Sequence, residues 1–257
     1  MTDSAGSFIW YELLSPDPRA AKAFYERVFA WTIEPEPSGA MDYRMITAAL
    51  GNVGGVLTLT PEMIAGGAAA AWVGYVSVDD VDASVAALEA AGGRTPMPAH
   101  DLPGIGRIAL ASDPQGAVFY LMRPAPNEGA PPAPVFAPGQ LGHVAWNELS
   151  TRDQAAAIGF YSGLLGWTFD ERLSMGPMGD YVFIHHHGTR LGGVMQQAAV
   201  PPAWLFYAQV ADIAAAAEAV RAGGGTVIMG PAPTPEGGQV IVARDPQGAV
   251  FGAVQNA

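Results

Sequence analysis

The sequence contains no cysteine, which excludes disulfide bonds and thiolate metal sites throughout its 257 residues. Charge is also sparse: charged residues make up 14% of the chain, with 12 basic against 24 acidic side chains. The resulting net charge of −12 repels a phosphate backbone, and no cluster of Lys or Arg offsets that repulsion. Nucleic acid is therefore not expected as a partner.

Long apolar runs are missing as well. Glycine, proline or charge interrupts every candidate before it reaches the roughly 18 residues that a membrane helix needs. The segment Met1–Ser7 is polar and lacks the basic start and apolar stretch of a secretory signal. These absences predict a cytoplasmic protein with no membrane partner.

What the sequence does contain is an internal repeat. The heptapeptide DPQGAVF occurs at Asp113–Phe119 and again at Asp245–Phe251, an offset of 132 residues (245 − 113). Three further patterns recur in the same order: W-x-E-L at residues 10–13 and 146–149, D…F-Y…W at 17–31 and 153–167, and G-G-V at 54–56 and 192–194. Motifs repeated in constant order predict two copies of one domain.

A proline-rich segment, RPAPNEGAPPAP at residues 123–134, separates the two copies. Its composition is typical of a semi-extended linker. Residues 1–123 are therefore predicted to form the first domain, residues 124–139 the linker, and residues 140–257 the second domain.

Each copy shows the same order of elements twice. Ile9–Leu14 has the composition of a strand, and Asp17 then caps a helix with Pro18 in its first position. The strand Val73–Val78 is likewise followed by Asp80 as a helix cap. The shorter strands predicted in the first copy are Tyr43–Ala49, Gly55–Thr60, Arg107–Ala111 and Val118–Met122. The chain is therefore predicted to contain four βαβββ modules.

Paired βαβββ modules with a D-P-x-G turn before the last strand resemble the superfamily of glyoxalases, bleomycin-resistance proteins and extradiol dioxygenases, known as the vicinal oxygen chelate (VOC) superfamily. The repeated motifs carry this resemblance over nearly the whole chain apart from the linker. It implies an α+β fold of two tandem domains, each a pair of modules that forms a cupped mixed sheet around a small-molecule cavity. It does not fix a reaction, because one fold hosts many chemistries.

Enzymes of this superfamily usually hold a divalent metal with His, Gln or Glu from the first and last strands of paired modules. The resemblance places these positions at Trp10, Val73, about Leu57 and Tyr120 in the first copy, and at Trp146, Leu205, about Met195 and Gly252 in the second. None of the eight is an imidazole or a carboxylate, and divalent ions need several such ligands. The sequence therefore predicts no metal and no other cofactor.

Two carboxylates remain as candidates for chemistry. Glu12 and Tyr75 lie two residues beyond the first-strand positions and share their strand face. The pseudo-two-fold of the paired modules is expected to bring them near each other, as it does Glu148 and Tyr207 in the second copy. The carboxylate could act as a general base and the Tyr hydroxyl as donor to a developing oxyanion. The alternative is that each Glu is a buried anchor for backbone N–H groups or for the Tyr hydroxyl.

Several other side chains are predicted to contact a ligand or to lie at the surface. The predicted ligand-binding residues are Trp10, Trp146, Tyr120, Trp72, Trp204 and Arg107, with Trp72 and Trp204 at the mouth of each cup. The tract His185–His187 precedes Gly188 and is predicted to form an exposed hairpin turn instead of a metal site.

The sequence therefore favours a protein that binds a small, largely apolar organic molecule in one or both cups. One class is a metal-independent isomerase, lyase or hydrolase that uses Glu12 or Glu148 as a base. The other is a non-catalytic binding protein that sequesters a small toxic or signalling molecule. An interaction scaffold is a weaker third option. The protein is expected to be a monomer or a weak homodimer.

Overall fold

The computed structural model describes residues 5–37, 39, 41–126 and 133–257, so part of the predicted linker lies outside the described residues. The helices are α1 Pro18–Val28, α2 Pro61–Ala65, α3 Val81–Ala90, α4 Gln154–Leu165 and α5 Ile213–Ala222. The strands are β1 Phe8–Ser15, β2 Thr32–Ile33, β3 Tyr43–Ala48, β4 Gly51–Thr58, β5 Ala71–Ser77, β6 Arg94–Leu102, β7 Gly106–Ser112, β8 Val118–Pro124, β9 Val144–Thr151, β10 Arg172–Ser174, β11 Asp180–His186, β12 Thr189–Gln196, β13 Ala203–Gln209, β14 Thr226–Pro233, β15 Gln239–Arg244 and β16 Val250–Gln255.

The strands form two mixed sheets of eight strands each. Their orders are β2-β3-β4-β1-β5-β8-β7-β6 and β10-β11-β12-β9-β13-β16-β15-β14, so the second repeats the first. Within a module the first strand pairs in parallel with the last, and the remaining neighbours are antiparallel. The α+β class and the βαβββ order predicted from the sequence are therefore confirmed.

Helices α1 and α3 begin at the predicted caps Asp17 and Asp80, and α4 and α5 also begin after an aspartate. The Oδ1 atom of Asp17 accepts hydrogen bonds from the backbone N–H groups of Arg19 and Ala20 at 3.1 and 3.0 Å. Such a cap satisfies donors that the first helical turn leaves without a partner. The caps of α3, α4 and α5 are Asp80, Asp153 and Asp212. No helix within the described part of the chain is long and apolar enough to span a membrane.

The sequence did not reveal α2 or β6, and burial explains why. No residue of α2 is buried, and none of β6 is fully buried. Neither element therefore carries the fully buried apolar residues that mark a helix or strand most clearly in a sequence.

The chain divides into two compact units, and each unit takes one module from each copy. Unit one comprises the described residues of Met1–Ile9, Gly74–Pro131 and Asn147–Trp204. Unit two comprises those of Trp10–Val73, Pro132–Trp146 and Leu205–Ala257. The sheets follow the two copies, whereas the compact units do not. The domain boundaries at residues 123 and 140 stay a prediction.

In unit two, helix α1 of the first copy packs on the last turn of the second copy. The hydroxyl of Tyr25 donates to Oδ2 of Asp245 at 3.0 Å and accepts from Nε1 of Trp72 at 2.9 Å. Burial, followed by the negative charge of Asp245, raises the pKa of Tyr25 well above its usual value. Gln247 of the same turn donates to the backbone carbonyl of Asp17 at 2.9 Å and so holds the start of α1.

Unit one repeats this arrangement with the partners exchanged between copies. The hydroxyl of Tyr161 on α4 donates to Oδ2 of Asp113 at 3.2 Å and accepts from Nε1 of Trp204 at 3.1 Å. Gln115 donates to the carbonyl of Asp153 at 2.8 Å. The Asp and Gln of each DPQGAVF motif thus bind the first helix of the other copy.

Candidate functional site

Strand pairing defines the last-strand positions of the second modules. Tyr75 of β5 lies opposite Tyr120 of β8, and Tyr207 of β13 lies opposite Gly252 of β16. Tyr120 and Gly252 are the positions that the sequence analysis assigned to the last strands. The residues opposite Tyr75 and Tyr207 therefore provide the reference for finding the equivalent positions in the first modules.

In the first modules the equivalent last-strand positions lie two residues before those inferred from the sequence. Glu12 of β1 lies opposite Gly55 of β4, and Glu148 of β9 lies opposite Gly193 of β12. Because Glu12 and Glu148 are equivalent to Tyr75 and Tyr207, the last-strand positions are these two glycines. The positions inferred from sequence spacing, about Leu57 and about Met195, are therefore each two residues too far along the chain. Pairing register is a long-range property that spacing along one strand does not determine.

A tyrosine ring occupies the space beside each of these glycines in the first modules. A Cβ atom at Gly55 would collide with the ring and hydroxyl of Tyr43, and a Cβ atom at Gly193 with those of Tyr181. Tyr43 and Tyr181 are missing from the sequence-based site, although they recur with the offset of the G-G-V motif, 138 residues (181 − 43). That shared offset is the signal that could have found them.

The second modules also have a tyrosine ring at each last-strand position. A Cβ atom at Gly252 would collide with the ring of Tyr207. Tyr120 carries its own ring, which stacks on Tyr75 with centroids 4.1 Å apart and an interplanar angle of 21°. Each of the four last-strand positions is therefore either a tyrosine or a glycine covered by one.

Two of these tyrosines hydrogen-bond to predicted site residues. The hydroxyl of Tyr43 accepts from Nε1 of Trp10 at 2.6 Å in unit two. In unit one the hydroxyl of Tyr181 donates to Oε2 of Glu148 at 2.8 Å. Glu12 is only 3% exposed, whereas Trp10 and Glu148 are half-buried. The two copies thus place an indole and a carboxylate, respectively, against the same tyrosine position.

The remaining predicted site residues have other contacts within their units. Trp72 and Trp204 are buried and donate to Tyr25 and Tyr161, as described above. Arg107 forms ion pairs with Asp82 and Asp101, with N–O distances of 2.7 and 3.0 Å. Trp146 is half-buried and packs against a small apolar cluster that contains Tyr207. The ligand contacts of these residues, and the facing of each Glu toward its Tyr, stay predictions.

His187 and Gly188 form the hairpin turn between β11 and β12, with φ values of +46° and +75°, whereas His185 and His186 belong to strand β11. His185 lies 3.1 Å from a carboxylate oxygen of Glu171. His186 is 9% exposed and donates from Nε2 to the carbonyl of Ala5, so the expectation of an exposed turn is wrong for this residue. Burial lowers the pKa of His186.

These residues do not fit a divalent metal. Among the described residues, no three His, Asp or Glu side chains lie close enough together to hold a metal ion. The four last-strand positions offer two kinds of residue, glycine without a donor side chain and tyrosine with a phenol. Neither supplies the imidazole and carboxylate set that zinc, manganese or iron requires.

The core of unit two contains a cavity of about 20 Å³ lined by apolar side chains, among them Tyr11, Trp31 and Phe206. A volume of this size holds about one water molecule. This cavity is therefore too small to be the site of an organic ligand.

The close contact between Tyr207 and Gly252 predicts that a larger residue at position 252 destabilises the protein. Gly252→Ala is expected to lower the free energy of unfolding by about 1–3 kcal/mol, because the added methyl group forces the ring out of its position. Urea unfolding followed by circular dichroism measures this loss. Gly159→Ala in α4 is the control: its added Cβ meets no atom within 4 Å, and it should stabilise the helix by about 0.5–1 kcal/mol. Equal stabilities of the wild type and Gly252→Ala would show that the ring is not held by this contact.

Curated relatives match the chain over nearly its full length. "Putative glyoxylase CFP32" of Mycobacterium tuberculosis is 33% identical over 252 residues, which cover 96% of this chain and 94% of the relative. "Anthracycline biosynthesis protein DauV" of Streptomyces sp. (strain C5) is 33% identical over 265 residues, covering 97% and 93%.

Solved structures share the fold at lower identity. The Mn(II)-bound glyoxalase from Novosphingobium aromaticivorans superposes with a TM-score of 0.63 and 18% identity, covering 98% of this chain and 82% of that one. The 2,3-dioxygenase LapB from Pseudomonas sp. KL28 gives 0.62 and 17%, covering 97% and 92%. The model of the Glyoxalase/Bleomycin resistance protein/Dioxygenase superfamily matches residues 7–121 and again residues 140–252. The chain therefore belongs to this superfamily and carries its domain twice.

Proposed function

We propose that the protein binds a small, largely apolar organic molecule without a metal ion. The molecule binds at the four last-strand positions occupied by tyrosine rings, which we call the tyrosine positions, and Glu148 and Glu12 serve as proton acceptors there. The observation that carries the proposal is that a tyrosine ring occupies each of the four last-strand positions: Tyr120 itself, and the rings over Gly55, Gly193 and Gly252. Phenol rings offer flat apolar surface together with a hydroxyl group, which suits an organic ligand with few polar groups.

Glu148 supplies the chemistry in unit one. Its Oε2 accepts from the hydroxyl of Tyr181 at 2.8 Å, which fixes the carboxylate while it remains able to accept further hydrogen bonds. A positioned carboxylate can take a proton from a substrate carbon or from water, and a tyrosine hydroxyl can donate to the oxygen on which charge develops. This supports an isomerase, lyase or hydrolase that moves a proton without a metal. The names of the relatives, a glyoxylase and a protein of anthracycline biosynthesis, agree with an organic ligand.

A non-catalytic binding protein is the second candidate, and the stacked pair Tyr75 and Tyr120 favours it. Their rings contact each other at 4.1 Å between centroids, and both residues are buried. A preformed aromatic surface of this kind retains a flat ligand by stacking and needs no proton transfer. The two candidates differ in one measurable property, since only an enzyme consumes its ligand.

Glu148→Gln separates these roles once a thermal-shift screen of small metabolites has identified a ligand. If Glu148 is the base, turnover should fall roughly 10²–10⁴-fold while the melting temperature changes little. If Glu148 is an anchor, the variant should instead lose about 1–3 kcal/mol of stability through a mispaired polar group. Glu12→Gln gives the same test in the first copy. Glu218→Gln on the exposed face of α5 is the control and should change neither property. Full turnover in both Glu12→Gln and Glu148→Gln would contradict a carboxylate base.

The proposed absence of a metal is tested by elemental analysis of the purified protein. We expect less than stoichiometric zinc, iron, manganese or nickel, because the last-strand positions lack nitrogen and carboxylate ligands. Metal bound through the surface residues His185 and His187 is distinguished by its release in a variant that replaces both. A tightly held metal that survives this double replacement would overturn the proposal.

A further inference from the structure

Unit two contains a groove formed by the end of α1, the start of α5 and the segment before β9. Its volume is about 310 Å³, and its lining includes Val28, Phe29 and Leu141. Pockets that hold small organic molecules begin at roughly this size. None of the residues assigned to the proposed function lines it. We refer to it as the α1–α5 groove.

The charges on this groove balance. Arg27 and Asp212 are the ionised residues of its lining. The carboxylate of Asp212 caps α5 by accepting from the backbone N–H groups of Ala214 and Ala215 at 2.9 and 3.0 Å. One positive and one negative side chain leave the lining without net charge, and its other surface is mainly apolar. A neutral occupant fits this lining better than an ion does.

One buried polar atom in the lining lacks a partner. Gln209 is 6% exposed, and its Oε1 atom forms no hydrogen bond with any residue that the structure describes. Its Nε2 lies 3.5 Å from the carbonyl oxygen of Val210. Because a carbonyl only accepts, the amide must turn its nitrogen toward Val210, and Oε1 is left as an acceptor. Gln209 lines the groove but its Oε1 is covered by neighbouring atoms, so a donor bound in the groove would satisfy it once the side chain turns outward.

The corresponding place in unit one has no such amide. Gln209 exchanges backbone hydrogen bonds with Gly142 and His143, and Ser77 does the same with Gly6 and Ser7. Ser77 is therefore the structural counterpart of Gln209. A long amide side chain that reaches the groove occurs at this position in unit two, so the groove has a polar group that the repeat does not require.

We propose that the α1–α5 groove binds a small neutral molecule that has an apolar body and one N–H or O–H donor, with Gln209 Oε1 as the acceptor. The apolar body packs on Val28, Phe29 and Leu141. This site is separate from the tyrosine positions and does not depend on the function proposed for them.

Indole and benzofuran test the proposal, because they have the same shape and differ in a single N–H donor. Titration of the full-length protein is followed by ¹H–¹⁵N NMR at the side-chain amide of Gln209 and the backbone amide of Ala215. Indole is expected to shift both signals and to bind about tenfold more tightly than benzofuran. Gln209→Leu should remove this preference.

Ala215→Trp provides the steric test, because Ala215 is exposed and lines the groove. It should abolish the indole shifts at Gln209. Ala214→Trp is the matched control on the same helical turn, since Ala214 is also exposed but does not line the groove. Indole shifts confined to other parts of the protein, equal affinities for the two probes in the wild type, or indole binding that survives Ala215→Trp would each overturn the proposal.

Discussion

Asp245→Ala is expected to lower the free energy of unfolding by about 3–5 kcal/mol. Asp245 is 5% exposed. Its Oδ1 accepts from the backbone N–H groups of Gln247 and Ala249, both at 2.9 Å, and its Oδ2 accepts from the hydroxyl of Tyr25. Alanine leaves these donors without an acceptor. Water cannot take the place of the lost carboxylate without opening the core.

Chemical denaturation measures this loss, and the chain offers two internal comparisons. Asp113→Ala should cost a similar amount, because Asp113 makes the equivalent bonds to Gln115, Ala117 and Tyr161 in unit one. Asp80→Ala removes an exposed helix cap and should cost only about 1 kcal/mol. An Asp245→Ala variant no less stable than Asp80→Ala would show that the buried carboxylate does not hold the turn to α1.

Residues 1–131 expressed alone are expected to yield no cooperatively folded monomer. In unit two, Phe24 and Tyr25 of α1 contact Phe251 at ring-centroid distances of 5.9 and 5.3 Å, and Tyr25 bonds to Asp245. Both partners belong to the second copy. Removing them exposes a cluster of aromatic side chains to water, each of which contributes about 1.5–3 kcal/mol when buried. The loss exceeds the stability of an ordinary domain once several such residues are exposed.

Size-exclusion chromatography and thermal unfolding test this fragment. Co-expression of residues 1–131 with residues 132–257 is the positive control and should restore a complex with a cooperative transition. A monomeric fragment 1–131 that unfolds cooperatively would contradict the expectation. That outcome would favour the domain boundaries predicted from the sequence as units of folding.

The features that the sequence predicted correctly are those set by neighbouring residues. Asp17 with Pro18 determines the start of α1 by local capping, and the repeated motifs identify four modules without reference to the rest of the fold. Likewise, the turn at His187 and Gly188 follows from short-range backbone preferences.

The features that the sequence did not predict depend on residues far apart in the chain. The offset between Leu57 and Gly55 arises from the pairing of β4 with β1, about 40 residues apart in the chain, which a motif on β4 alone does not encode. The pairing of modules from different copies depends on bonds such as that of Tyr25 with Asp245. Strand alternation did contain one unused clue: Trp72 directly precedes Val73 and therefore points to the opposite strand face, toward Tyr25.

The glycine–tyrosine pairs also bear on how this lineage can change. A histidine or glutamate at Gly55, Gly193 or Gly252 collides with the tyrosine ring beside it, so a substitution there is harmful unless the tyrosine has already changed. Replacing the tyrosine first leaves a void and loses its hydrogen bond to Trp10 or Glu148 in the first modules. Either order passes through a less stable intermediate, and the effects of the two substitutions are not additive because the residues are in contact. An evolutionary path to a coordinating side chain at these strands therefore requires paired mutations, and single-step variation keeps the aromatic arrangement in place.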